Sequence, residues 1–279
     1  MHELICTDET FDPNFTIEYK LSIQVGLDGF SFSILDDIRK KFVVFQHFPY
    51  NFKRQSFLAR KANEVIQKNG ILQKTYKNVT ILYVTPQCTI APKLPRFTNS
   101  PDELMKLNYN IAANNETGAF NVDPFGGTIF FSYPGKLKAF FLSIYPDCIF
   151  THQLEPVFNQ IIKKIEGKVV QAYITINNKY FNLIVTKGNR LLFFNSFNYQ
   201  NGQDIIYFII TALKTLQLKP DDVHVHLNGQ VAEHSDVHQL LKKHFRKVNF
   251  IGFNTDYHYS YTFESVPKHQ FFSVINPIG

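Results

Sequence analysis

The segment Phe45-Gln46-His47-Phe48-Pro49-Tyr50 returns 149 residues later as Phe194-Asn195-Ser196-Phe197-Asn198-Tyr199, with both phenylalanines and the tyrosine in register. What precedes each copy corresponds as well. Two alternating apolar stretches separated by a turn lead into a third, and an apolar helical pattern follows each copy. A repeat of this length makes each copy a folding unit with its own sheet, so the chain is expected to form two lobes with a cleft between them.

The first unit opens with Leu21, Ile23 and Val25 alternating with polar residues, the pattern of a half-buried strand. Leu27-Asp28-Gly29 reads as a hairpin turn, and Phe30, Phe32 and Ile34 alternate beyond it. Phe42 to Phe45 is apolar on both faces, as in a strand covered by other layers. Leu58, Ala62, Val65 and Ile66 have helical spacing, and Val79 to Val84 reads as a further strand.

The second unit repeats this order. It has a strand with Ala172, Ile174 and Ile176, a turn at Asn177-Asn178-Lys179, and strands through Phe181–Val185 and Leu191–Phe194. A helix over 205–216, apolar nearly all round, is expected to be central. A strand at His224–Leu227 and a helix carrying Val237, Leu240, Leu241 and Phe245 complete the unit. A linking amphipathic helix over 154–165 turns Gln160, Lys163 and Lys164 outward. The boundary falls at Glu166-Gly167-Lys168, giving lobes of 1–167 and 168–279.

Residues 85–127 have no counterpart and read as an insertion with a helix starting at Ser100-Pro101-Asp102-Glu103. Residues 128–133 and 136–143 are expected to form a hairpin about Pro134-Gly135.

At 279 residues the chain can support two cores. Its 44% hydrophobic content and 29 Phe mark an ordered globular protein. Three scattered cysteines form no CxxC pair and no disulfide framework, which points to a reducing compartment. The acidic N-terminus lacks a secretory pattern, and no apolar run approaches the ~20 residues of a membrane span. The expectation is a cytoplasmic protein without membrane insertion. A net charge of +6 permits contact with nucleic acid but is also ordinary for soluble proteins.

The duplicated order of three strands, helix, strand and helix resembles the actin-like ATPase fold. That implies an α/β protein of two tandem actin-like (ribonuclease-H-like) lobes. In detail it is similar to an uncharacterised family with this fold from Bacteroidetes, and more remotely to pilus and secretion-system proteins. In active members of the fold, an Asp-x-Gly-Thr-type hairpin from each lobe grips phosphate and metal, and a Gly-Gly turn holds the nucleoside.

The positions that match are Gly26, Asp28 and Gly29 at the first hairpin, Asn177 and Asn178 at the second, and Asn228, Gly229 and Gln230 near the end. These are the residues the resemblance assigns to ligand binding. The acid positions, however, hold Gln24 and Thr175. Asn177 stands for a glycine, and Gln230 stands for the second glycine of the pair. Orienting Mg²⁺ against a phosphoryl group needs carboxylates. The expectation is therefore a non-catalytic, pseudo-ATPase scaffold that binds a protein partner and takes no cofactor. The alternatives are an ATPase or kinase using ATP with Mg in the cleft, and a nucleic-acid-associated factor using the basic runs at Lys53-Arg54, Arg60-Lys61 and Lys242–Lys247.

Four histidines, His224, His226, His234 and His238, lie close in sequence, and the last two are spaced to share a helix face. No cysteine pair or zinc-protease motif accompanies them, so surface or cap histidines are the plainer reading. Asp256 to Tyr261 alternates tyrosine with polar residues, as an edge strand or a tyrosine-rich contact surface would.

Overall fold

The computed structural model describes residues 3–92, 100–165, 167, 169–252 and 254–276. The first unit contains β1 (Leu4–Thr7), β2 (Tyr19–Val25), β3 (Gly29–Asp36), β4 (Lys41–Pro49), α1 (Leu58–Lys68) and β5 (Asn78–Tyr83). An excursion follows, formed by β6 (Cys88–Pro92), α2 (Pro101–Asn108), β7 (Asn115–Val122) and β8 (Gly127–Pro134). Then come α3 (Gly135–Ile144), β9 (Ile149–His152) and α4 (Glu155–Lys163). The second unit runs through β10 (Val170–Ile176), β11 (Tyr180–Lys187), β12 (Arg190–Asn198), α5 (Gly202–Thr215), β13 (Val223–Gly229), α6 (Asp236–His244) and β14 (Lys247–Phe250). A short β15 (His258–Tyr259) follows.

The repeat holds strand for strand. The first sheet has the order β1-β4-β3-β2-β5-β9, and the second has β12-β11-β10-β13-β14. In both, the three meander strands are antiparallel and the next two are added in parallel, β5 and β9 in one and β13 and β14 in the other. Even the irregularity recurs, with a register shift after Ile34 in the first meander and after Val185 in the second. This is an α/β protein of two actin-like units. Among the described residues no helix is long and apolar enough to cross a membrane.

The insertion is a small sheet of its own, in the order β6-β8-β7. Ser100 and Glu103 form the expected reciprocal cap on α2. The expected hairpin of 128–133 with 136–143 is not formed. β8 pairs instead with β6 and β7, and 136–143 belongs to helix α3. Leu137 and Phe141, four apart, are both buried there, and that spacing suits a helix.

Two helices depart from expectation in burial. α5 is one-sided rather than buried all round. Ile205, Ile209 and Leu213 face the core, while Tyr207 is 65% exposed. In α4, Gln160 is buried rather than outward, because the helix is wedged between the units. Val157 and Ile161 join the first core, and Phe158 meets Phe194 of β12 edge to face at 5.8 Å.

Glu166 and Lys168, which frame the expected boundary, lie outside the described residues. The C-terminal stretch, placed by sequence in the second lobe (168–279), packs on the first sheet. Phe263, Val266, Phe271, Val274 and Ile275 form a core cluster with Cys6, Leu35, Phe42, Phe45 and Leu82. The tyrosine-rich segment does pair as a strand, but over two residues. β15 runs parallel to Lys41 and Phe42 of β4, and Tyr259 stacks on Phe42 at 5.2 Å.

Candidate functional site

Three turns from the ends of β2, β10 and β13 meet where the two units face each other. At the first hairpin Gly26 N–H donates to Gly29 O at 3.1 Å. A side chain at Gly26 would meet Val84 Cβ at 2.8 Å, so this turn lies hard against the end of β5. At the second, Asn177 N–H donates to Tyr180 O at 2.8 Å. At the third, Gly229 has φ +84, and a Cβ there would stand 2.1 Å from Ile176 O. Only glycine permits that approach, and it lets Gln230 N–H donate to Ile176 O at 2.7 Å.

Of the residues the sequence assigned, Asp28, Gly29, Asn177, Asn228, Gly229 and Gln230 line one small cavity. Asn178 does not. It lies with Asp28 and Asn177 on a separate opening beyond the hairpins. Gly26 lines neither space and serves the packing against Val84.

The cavity measures about 30 Å³, room for one or two waters. Gln24, Thr175 and Val84 line it as well, and the rest of its wall comes from residues that no binding motif in the chain marks. His47 and Ser31 come from the first sheet, Gln153 from the end of β9, and His269 to Ser273 from the C-terminal stretch. That stretch is tied to the third turn, since Gly229 N–H donates to His269 O at 2.8 Å and His269 Nε2 meets Val231 O at 2.6 Å. It is tied to the first sheet by Ser33, whose hydroxyl donates to Val274 O at 2.5 Å.

Across the gap, Gln230 Nε2 donates to Asp28 Oδ2, joining the two units. Asp28, which the resemblance assigns to ligand binding, is thus engaged by an amide of the other unit. Burial raises its carboxyl above the ordinary aspartate range, against the lowering effect of the Gln230 hydrogen bond. Burial also pushes Tyr180 well upward, and the nearby Asp28 charge adds to this. His47 is held down, to about 4, by burial, and its Nδ1 lies 2.8 Å from Ser31 Oγ. Four cavity-lining residues carry buried polar atoms with no protein partner: His47 Nε2, Thr175 Oγ1, Asn177 Nδ2 and Asn228 Oδ1.

This donor set does not fit a Mg–nucleotide. Gln24 and Thr175 stand at the strand ends where carboxylates would face the metal, and the space is smaller by an order of magnitude than the ~300 Å³ of an ordinary ligand pocket. The second opening, of about 450 Å³, is larger and carries Lys53 and Lys179 beside Asn177 and Asn178.

The histidine group does not assemble. His234 precedes α6 with φ +65 instead of sharing its face with His238, and its N–H donates to His238 Nδ1 at 3.0 Å. His226 stacks on Tyr173 and bonds Gln171 at 2.6 Å. No group of three metal-binding side chains occurs among the described residues. Burial pushes the Cys88 thiol up to about 12, which leaves it protonated and unreactive. The basic runs belong to different units: Arg60 and Lys61 reach Glu64 on α1, while Arg246, beyond α6, reaches Asp221.

The structure resembles a Bacteroides thetaiotaomicron VPI-5482 protein of actin-like ATPase fold and unknown function. The TM-score is 0.77 at 22% identity, over 87% of this chain and 94% of that one. It also resembles a chain of the PilM-PilN type IV pilus biogenesis complex, with a TM-score of 0.56 at 11% identity, over 93% and 97%. These likenesses establish the actin-like fold. Among curated proteins nothing matches. Residues 8–248 match DUF3822, a family of proteins of unknown function, and the chain belongs to that family.

Proposed function

We propose that this protein is a non-catalytic member of the actin-like fold, acting as a scaffold or protein-binding module. The observation that carries this reading is the 30 Å³ cavity at the meeting point of the three turns, walled on one side by residues 269–273. Gln24 and Thr175 supply no carboxylate for a metal, and Gln230 occupies Asp28. The pilus relative, seen in the PilM-PilN complex, supports protein binding as a use of the fold.

Calorimetry with ATP and ADP in the presence of Mg²⁺ tests the proposal, and no saturable heat is expected. Micromolar binding with phosphate release, abolished by Asp28→Ala, would overturn it. The 450 Å³ opening favours a second reading, a nucleotide held by Lys53 and Lys179 outside the small cavity. In that case binding would appear without turnover and would weaken in Lys179→Ala.

A further inference from the structure

The repeat permits a comparison of the same strand in two settings. β4 and β12 are both nine residues long and lie 149 residues apart along their whole length, so Lys41 corresponds to Arg190, Phe45 to Phe194 and His47 to Ser196. In the first unit Phe42 to His47 are all buried. In the second, Leu191 to Ser196 are all partly or fully exposed. Part of the difference is the cover on the outer edge.

β4 carries β1 there, antiparallel, with Leu4 opposite His47 and Cys6 opposite Phe45. No described strand pairs with the outer edge of β12. Tyr199 N–H donates to Lys179 O at 3.1 Å, which fixes the alternation along β12. The main-chain groups of Phe194, Ser196 and Asn198 therefore point away from β11. Among the described residues the Ser196 N–H is met by its neighbour Asn195 Oδ1 at 2.9 Å, while its hydroxyl lies 3.5 Å from Cys88 Sγ of β6. A strand of this length, with no proline and no charge between Arg190 and its end, is an open template for pairing.

The first unit also shows the chemistry of a fitting occupant. β1 is a short apolar run, and the next residue, Asp8, donates its N–H to Val43 O at 2.7 Å. The Asp8 carboxylate then meets Lys41 Nζ at 2.9 Å. The counterpart of Lys41 is Arg190, which is exposed and has no carboxylate partner among the described residues. Between Glu166 and Asp204 the chain has Lys168, Lys179, Lys187 and Arg190 and no acidic residue. An acidic segment complements Arg190, whereas residues 167–203 of a second copy pairing through the same edge would bring it no carboxylate.

We propose that the open edge of β12 receives an extended segment of a partner protein, antiparallel, with an apolar run followed by an aspartate or glutamate that pairs with Arg190. This deepens the protein-binding reading. It uses an edge that does not line the small cavity, so the Mg–nucleotide titration and the test below can fail independently.

The probe is a fluorescein-labelled peptide of residues 2–10 carrying Cys6→Ser, titrated against the full chain by anisotropy. Saturable binding is expected. Arg190→Glu is expected to weaken it by about tenfold or more, and a peptide with Asp8→Lys to recover affinity for that variant. Ser196→Pro, which removes an outward N–H, should weaken it similarly. Circular dichroism melts confirm that both variants fold, and Arg190→Glu alone suffices if the proline variant does not. Absence of binding at millimolar peptide would overturn the proposal. So would binding indifferent to Arg190→Glu, which would place the peptide on β4 in exchange with β1. Light scattering showing a dimer that Ser196→Pro dissolves would make the occupant a second copy, and would likewise overturn it.

Discussion

His47 and His152 sit where burial penalises the imidazolium, and both are drawn below the ordinary histidine range, to about 4. The unfolded chain takes up a proton at each near pH 6.5, and the folded chain does so only near 4. Between these values the unfolded state binds more protons, so the stabilisation present above pH 6.5 is lost as the pH falls through 4. Each histidine contributes a slope approaching about 1.4 kcal/mol per pH unit in that window. Asp28 works the other way, because its raised carboxyl makes the folded state the better proton acceptor above the ordinary aspartate range. Urea midpoints measured between pH 7 and pH 4 are expected to fall, and to fall less steeply in His47→Asn. An unchanged slope in that variant would show that His47 does not titrate as described. Of these residues the sequence exposed only the negative evidence, that Gln24, Thr175 and Gln230 are not the residues a phosphate site requires. The contact of Gln230 with Asp28 joins positions 202 apart, and no local pattern announces such a pair.

Among the elements, the strands were legible because alternation of period two is a strong signal over seven or eight residues. The meanders of both units and the cap of α2 follow directly from it and from turn and capping residues. The failures have separate causes. In 136–143 the apolar residues Leu137, Phe140 and Phe141 follow a three-and-four spacing that Pro134-Gly135 disguised as a hairpin turn. α5 looked central because its exposed face carries Tyr207, an apolar-bodied residue that tolerates water. The C-terminal stretch carried no regular period, yet it places Phe263, 1% exposed, against Phe42 and Phe45. Phe263→Ala is expected to cost about 3–5 kcal/mol, typical of a large aromatic removed from a core. Equilibrium urea unfolding checks this, and a cost under 1 kcal/mol would mean the stretch is not packed as described.

For the whole molecule, the central matter is how two similar units are held together. α4 is wedged between them, Phe158 meets Phe194, Gln230 bridges to Asp28, and the C-terminal stretch joins the third turn to the first sheet. Gln230→Ala removes the bridge and leaves a half-buried carboxyl without its amide partner, which is costly. Hydrogen exchange at the turns 26–29 and 228–231 is expected to quicken in that variant, while the centres of β3 and β11 stay protected. Uniform exchange across both sheets would point to global destabilisation instead.

The residues alone were enough for two duplicated α/β units, the order of elements along each, and the presence of Gln24, Thr175 and Gln230 where the resembling fold carries carboxylates and a glycine. All of these rest on local periodicity and on residue identity at aligned positions. The closing of the cavity, the return of the C-terminal stretch to the first sheet and the bare edge of β12 depend on which distant surfaces meet. Packing between segments over 200 residues apart sets the first two, the absence of a described strand beside β12 sets the third, and neither leaves a period in the sequence.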